Sequence, residues 1–194
     1  APPPRRPHDH VDLVLDDVSE KMAKAVSHAR HEFSTIRTGR AAPALVEKLP
    51  VDYYGQEVPL QQLAGFSVPE ARQLIISPYD KGSMPAIEKA IQKSDIGLTP
   101  NTDGTLVRLN IPPLTEERRR DLVKVVHRRA EEARVEIRNH RRDAADEVRR
   151  EEKAGEVGAD DARRELERIE KLTHHWIDQA DQLAKTKEQE IMEV

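Results

Sequence analysis

Three stretches of the chain repeat apolar residues at helical spacing. The longest of them, residues 115–152, contains neither glycine nor proline. At 100° per residue its apolar positions fall within one arc of about 100°. These positions are Leu122, Val126, Ala130, Ala133, Ile137, Ala144 and Val148. The pattern predicts an amphipathic helix of 38 residues, ~57 Å long, that starts after Pro112 and Pro113 with Thr115 as its cap.

Two further stretches carry an apolar stripe of the same kind. Residues 11–36 have theirs at Val11, Leu15, Val18, Met22, Ala25, Val26, Ala29, Phe33 and Ile36. Residues 160–192 have theirs at Ala162, Leu166, Ile169, Leu172, Trp176, Ala180, Leu183 and Ile191. A helix with one apolar side needs a partner to cover that side. The three stretches therefore predict a long antiparallel three-helix bundle built from residues 11–39 and 114–194.

The residues between the first two of these helices differ in character. Nine of the thirteen prolines lie between Pro43 and Pro113. Apolar runs and alternation predict strands at 46–54, 73–77 and 105–111, and a short helical pattern covers 85–94. Residues 40–113 are therefore predicted to form a small β/α/β sandwich domain inserted into the bundle, which makes the fold α+β.

The inserted domain is connected to the bundle by two adjacent backbone segments. The chain enters it near Gly39 and Arg40 and leaves it near Pro112 and Pro113. A double connection of this kind permits a hinge motion but resists free tumbling. The proline-rich opening of the chain, residues 1–10, predicts a disordered arm.

A second arc on the longest helix is basic and lies beside the apolar one. Its members are Arg134, Arg138, Arg141, Arg142 and Arg149. Residues 118–150 contain twelve Lys or Arg and seven Asp or Glu, a net charge of +5, although the whole chain carries −4. One interpretation is a solvated face with ion pairs, for which Glu131, Glu132 and Glu136 supply partners. The other is a local surface for nucleic acid, since the concentration of charge is not shared by the rest of the chain.

Composition narrows the functional classes. Charged residues make up 35% of the chain and aromatic residues 3%, which favours long helices. The absence of cysteine excludes disulfides, thiol catalysis and cysteine-based zinc sites, and it fits a reducing compartment. No apolar run approaches the ~20 residues that span a bilayer. No membrane partner is expected.

Catalytic patterns are missing from the sequence. It has no phosphate-binding loop, no dinucleotide fingerprint and no nucleophile elbow. His28 and His31 could share a metal ion, but a third ligand is not evident, so surface histidines are the simpler interpretation. We therefore expect no catalytic residue, metal or cofactor, and a protein that is not an enzyme.

A series of short motifs resembles the bacterial-type ribosome recycling factors. The segment Ile36-Arg-Thr-Gly-Arg-Ala41 resembles the hinge signature of that family. Further matching segments follow in the family's order and cover the chain from about residue 18 to its end. They are Val51-Asp-Tyr-Tyr-Gly55, Lys93-Ser-Asp-Ile-Gly-Leu98, Asp103-Gly104, Ile111-Pro-Pro-Leu-Thr-Glu-Glu-Arg-Arg119, Arg138-Asn-His-Arg-Arg-Asp143 and Lys187-x-x-Glu190-Ile-Met192. His140, Thr99 and the proline-rich arm depart from the pattern.

The resemblance implies a function in translation. Members of this family bind ribosomes after termination and, with elongation factor G and GTP, split them into subunits, which releases mRNA and tRNA. It implies a cytoplasmic monomer of L shape whose bundle contacts the rRNA of the large subunit and whose inserted domain faces the small subunit. The matching rRNA-binding residues are Arg138, Arg141 and Arg142, and we expect Arg134 and Arg149 of the same basic arc to join them. The matching hinge residues are Arg37, Gly39, Arg40, Pro112 and Pro113.

Two other classes remain open from the residues alone. A structural adaptor or chaperone built on a helical bundle would not bind ribosomes, and its arginines would only solvate the helix. A metal-dependent enzyme would use His28, His31 and helix carboxylates. A metal analysis and a paired His28→Ala, His31→Ala variant distinguish the second class.

Overall fold

In the computed structural model the described residues form four α-helices and six strands. The structure describes the backbone of residues 7–193 and the side chains of residues 13–193. The helices and strands, in chain order, are α1 Pro7–Ser34, β1 Pro50–Tyr53, β2 Gln56–Pro59, β3 Ala64–Glu70, β4 Gln73–Pro78, α2 Met84–Lys93, β5 Pro100–Asp103, β6 Leu106–Asn110, α3 Glu116–Lys153 and α4 Ala159–Met192. Short 3₁₀ turns occur at Pro43–Leu45, Leu60–Gln62 and Lys81–Ser83.

The chain divides into two compact units. One takes in the chain up to Ile36 together with Glu116–Glu193, and it consists of α1, α3 and α4, each of which packs against the other two. The other, Arg37–Thr115, holds the six strands and α2. None of the helices in the described part of the chain has the length and apolar composition needed to cross a bilayer.

The apolar stripe of α3 is buried as its spacing predicts. All seven of its residues lie in the core of the bundle unit, and Val126 and Ile137 have no exposed surface. On α1, the stripe from Val18 to Phe33 is buried too. The helices are thus held by their apolar sides, since propensity alone does not stabilise long charged helices in water.

The buried side of α4 is rotated from the predicted stripe. Leu166, Leu172, Trp176 and Leu183 are only half-buried, while Glu165 and Thr173 are buried. The buried hydroxyl of Thr173 has a hydrogen-bond partner within its own helix, because it donates to the carbonyl of Ile169 at 2.7 Å. The large leucines flank the contact instead of occupying its centre.

Helix α1 begins earlier than expected. Residues 7–10 are helical where the sequence analysis predicts part of a disordered arm, and residues 1–6 lie outside the described residues. Pro7 opens the helix, which is a position that proline tolerates well. Its φ is already near the helical value, and the N–H that it lacks would have no partner in the first turn.

The small unit contains two antiparallel sheets. Strands β1 and β2 form a hairpin, and the larger sheet has the order β3-β4-β6-β5. The central strands β4 and β6 match the predicted ones, with Leu74, Ile76, Val107 and Leu109 buried at alternate positions. Helix α2 adds Ile87 and Ile91 to the same apolar core.

Three strands escape prediction, and one predicted strand is shorter. Residues 46–48 form a turn and Leu49 lies outside any strand, so β1 begins at Pro50. The edge strand β3 contains Pro69, the edge strand β5 starts at Pro100, and β2 ends at Pro59. Proline lacks a ladder donor and is confined to sheet edges and strand ends, so it hides these strands in a sequence pattern.

Candidate nucleic-acid interface

The five arginines of the basic arc lie on α3, beside its buried stripe. Arg138, Arg142 and Arg149 are exposed, whereas Arg134 and Arg141 are partly buried. Because one helix carries them all, their spacing along the surface is set by the 1.5 Å rise per residue and not by loop conformation. Their partners separate them into three groups.

Arg134 is bound within the bundle. Its Nη1 lies 2.6 Å from Asp181 Oδ1 on α4, and its Nη2 lies 2.8 Å from Glu131 Oε2 on α3. Burial alone lowers the pKa of Arg134, but hydrogen bonds and charge from Asp181 and Glu131 outweigh it and raise the pKa above its usual value. Its guanidinium therefore braces α3 against α4.

Three other arginines have loose ion pairs with exposed carboxylates. Arg138 Nη1 lies 3.7 Å from Glu131 Oε1, Arg141 Nη1 lies 4.0 Å from Glu170 Oε1 on α4, and Arg149 Nη1 lies 3.6 Å from Asp146 Oδ1. Exposed pairs at these separations contribute little to folding. A phosphate oxygen can replace such a carboxylate at small cost, and it offers the bidentate geometry that these pairs lack.

Arg142 has the least occupied guanidinium of the set. Among the described residues it has no carboxylate within ion-pair distance, and its Nη2 donates instead to the amide oxygen of Asn139. An amide partner leaves the positive charge uncompensated. Arg142 is therefore the arginine best prepared to accept an anion from outside the protein.

The sequence could not identify the acidic partners on α4. Asp181 and Glu170 lie 47 and 29 positions beyond the arginines that they face, and only the packing of α4 brings them there. Glu131 was visible as a partner because it is three residues from Arg134 on the same helix. Arg134 is thus paired as in the first interpretation of the basic arc, whereas the nucleic-acid interpretation stays a prediction, for which Arg142 has a guanidinium without a carboxylate partner among the described residues.

The histidines considered for metal binding do not form a ligand cluster. His28 Nε2 lies 2.6 Å from Glu32 Oε1, whose other oxygen pairs with Arg129 on α3. In the part of the chain that the structure describes, no group of three His, Cys, Asp or Glu side chains could hold a metal ion. The carboxylate of Glu32 instead links α1 to α3.

The two connecting segments lie against each other inside the small unit. A Cβ on Gly39 would lie 3.3 Å from Leu114 Cγ and 3.4 Å from Leu114 N. Only glycine therefore lets the two segments come this close. Arg37 Nη1 donates to the carbonyl of Ile96 at 3.0 Å. These contacts place residues 37–39 with the small unit, whereas the sequence analysis assigns them to the bundle. Arg40, Pro112 and Pro113 are exposed.

Replacing Gly39 by alanine should destabilise the small unit by about 1–2 kcal/mol, because its φ of +78° disfavours a Cβ and Leu114 would have to shift. The measurement is urea unfolding followed by tyrosine near-ultraviolet circular dichroism, since all three tyrosines lie in this unit. Gly97→Ala has a similar strain at φ +68° but open space, and it should cost less. Gly65→Ala, without a positive φ, is the unstrained control. Equal stability of all three variants would contradict this account.

Comparison with known proteins decides the family. The family model described as ribosome recycling factor matches residues 29–192. The chain belongs to the ribosome recycling factor family. The match includes all of α3 and therefore every arginine of the basic arc.

Individual relatives agree over nearly the whole chain. The ribosome-recycling factor of Halalkalibacterium halodurans is 55% identical, with 93% of this chain and 98% of the relative covered. That of Acidothermus cellulolyticus is 53% identical, with 95% and 100% covered. That of Bacillus subtilis is 51% identical, with 93% and 98% covered.

Solved structures of ribosome recycling factors share the fold. A solution structure of the ribosome recycling factor is 43% identical with a TM-score of 0.74, covering 95% of this chain and 98% of that one. A second comprises models for the T. thermophilus ribosome recycling factor and E. coli elongation factor G bound to the E. coli post-termination complex. Its chain is 44% identical with a TM-score of 0.63, covering 94% and 99%.

Proposed function

We propose that this protein recycles ribosomes. It binds the post-termination ribosome and, with elongation factor G and GTP, splits it into subunits, so that mRNA and tRNA are released for a new round of translation. The observation that carries this is the nearly full-length likeness to ribosome recycling factors, one of which is solved together with elongation factor G on a post-termination complex.

The basic arc of α3 is the proposed contact with large-subunit rRNA. Arg138, Arg141, Arg142 and Arg149 supply guanidinium groups that grip phosphate bidentately or stack on unpaired bases. Their loose or uncharged partners support this role. Arg134 belongs to the arc but is engaged with Asp181 and Glu131, so its proposed part is to hold α3 and α4 in register beneath the other four.

The double connection is the proposed hinge. The main chain passes between the two units at residues 36–37 and 115–116, and Gly39, Arg40, Pro112 and Pro113 lie within a few residues of these points. Gly39 has a left-handed backbone, and a proline pair fixes two successive φ angles. The inserted domain faces the small-subunit side in this proposal.

The proposed role needs no chemistry from the protein itself. Arginine stays protonated at physiological pH and cannot serve as a general acid or base there, so the basic arc suits binding and not catalysis. GTP hydrolysis belongs to the elongation factor. We propose that the protein is not an enzyme and that it acts in the cytoplasm, where the ribosomes are.

Subunit splitting tests this function directly. Post-termination ribosomes mixed with the protein, elongation factor G and GTP should lose light scattering as the subunits separate, and omission of any one of the three should abolish the change. Sedimentation with large subunits at two salt concentrations separates binding from splitting. A protein that neither sediments with ribosomes nor splits them would favour the structural adaptor.

A further inference from the structure

The turn between β1 and β2 is made of residues poorly suited to its shape. Tyr53 pairs with Gln56, so Tyr54 and Gly55 form a two-residue hairpin loop with φ angles of +51° and +83°. A loop with both angles positive favours Asn, Asp or Gly at its first position, because a bulky side chain there strains the backbone. Tyr54 is the one non-glycine residue with a positive φ among the described residues.

Nothing inside the protein offsets this strain by burial. The side chain of Tyr54 is 81% exposed and that of Tyr79, next to Asp80, is 74% exposed. They are the two most exposed large hydrophobic residues in the described part of the chain. A strained residue whose ring remains in solvent points to a role in contact with another molecule.

Asp80 holds the two turn tyrosines in place. The hydroxyls of Tyr53 and Tyr54 donate to its Oδ2 at 3.1 and 3.4 Å, and the N–H of Gly82 donates to its Oδ1 at 2.9 Å. The two rings meet edge to face with centroids 4.6 Å apart. The Gly82 N–H, followed by the Tyr53 hydroxyl, lowers the pKa of Asp80, so the carboxylate stays ionised at neutral pH.

This arrangement suits a cation. A hydroxyl that donates to a carboxylate enriches its own ring in electrons, and an electron-rich ring face attracts guanidinium and ammonium groups. The fixed negative charge of Asp80 repels phosphate, which disfavours a nucleic-acid strand at the same place. The other nearby carboxylates, Asp52 and Glu57, line a groove with Lys89 and Lys93 of α2 and are balanced there.

We propose that the tyrosine turn, formed by Tyr53 and Tyr54 with Asp80, receives an arginine side chain from a basic protein segment. Pre-ordered rings lose little freedom on binding, and the planar guanidinium stacks on a tyrosine face better than a lysine ammonium does. Lys81 follows Asp80 and is exposed, so its positive charge disfavours a second cation at the turn. This inference rests on the proposed function only in that the basic segment belongs to the ribosome or its factors.

The first test uses Tyr54→Asn, which removes the ring and fits the turn better. The full chain carrying it should melt at the same or a higher temperature. The probe is a peptide of alternating glycine and arginine, titrated against the tyrosine ring resonances. Wild type should show ring shifts that Tyr54→Asn weakens at least threefold, whereas Tyr54→Phe, which keeps the ring but loses the hydroxyl bond to Asp80, should fall between the two. Gln56→Asn in the same hairpin should behave as wild type.

Equal affinities for wild type and Tyr54→Asn, or ring shifts with oligouridylate at concentrations where the peptide gives none, would overturn the proposal. This arm needs no ribosome, so it is independent of the proposed function.

A second test identifies the partner class on the ribosome. A photo-crosslinking benzoylphenylalanine at position 54 of the full chain is irradiated on post-termination ribosomes. An adduct with an arginine-bearing protein segment supports the proposal. An adduct with rRNA, or no adduct from a chain that still sediments with ribosomes, overturns it. A chain that does not sediment at all contradicts the proposed function, and the peptide titration then decides the tyrosine turn alone.

Discussion

Changing Arg138 and Arg142 together to alanine should weaken binding to the large ribosomal subunit by about 100-fold while the protein remains folded. Hydrogen bonds to charged groups contribute roughly 1.5–3 kcal/mol each, so two lost phosphate contacts are enough for this effect. The slope of log affinity against log salt should also fall by up to about two units for a duplex-like site, one for each contact. Affinity across a salt series measures both quantities.

The loss of affinity in single variants should depend on the partner that each arginine has within the protein. Arg142→Ala should lose more affinity than Arg149→Ala, because no described carboxylate neutralises Arg142. Arg142→Lys should recover the salt slope but only part of the affinity, since an ammonium cannot form the bidentate contact. Arg163→Ala on α4 removes an exposed arginine outside the arc and is the matched control. If the double variant binds like wild type with an unchanged slope, the basic arc has no rRNA role.

Truncating Ile137 to alanine should destabilise the bundle unit by about 2–5 kcal/mol. Ile137 has no exposed surface and lies at the centre of the α3 stripe. Removing three heavy atoms there leaves a cavity that close-packed helices cannot easily close. The fluorescence of Trp176, the single tryptophan of the chain, reports the unfolding of this unit in urea.

Val135→Ala is the control for this measurement. Val135 lies two residues away on the same helix but is 46% exposed, so its truncation should change stability by no more than about 0.5 kcal/mol. A loss below about 1 kcal/mol for Ile137→Ala would mean that the stripe does not support the core. Both variants should leave the tyrosine signal of the small unit unchanged.

The bundle could be predicted from the sequence because each helix places apolar residues at helical spacing many times over. Seven apolar positions on α3 agree with one another, and an error at any of them would not change the face. The small unit lacks this redundancy. Strand β5 has four residues, three of them exposed, so its pairing with β6 is decided by the sheet and not by its own pattern.

The sequence predicted where the five arginines lie on α3 but not which of them are held in ion pairs. Helical geometry alone places the five arginines along one side of α3. Whether each one is free to bind depends on α4, whose Asp181 engages Arg134 and whose Glu170 lies near Arg141. The tyrosine turn was not predicted, because the sequence analysis assigns Tyr54 to a strand, and its anchor, Asp80, is 26 residues away from Tyr54.

The loose carboxylate partners of Arg138, Arg141 and Arg149 have a consequence for selectivity. Each carboxylate competes with phosphate for its arginine, so a single phosphate of an RNA gains little free energy by displacing it. Only a rigid surface that presents several phosphates at the spacing of α3 displaces all of them at once. If this face meets rRNA as proposed, a structured RNA surface is therefore favoured over a flexible single strand, which offers its phosphates one at a time.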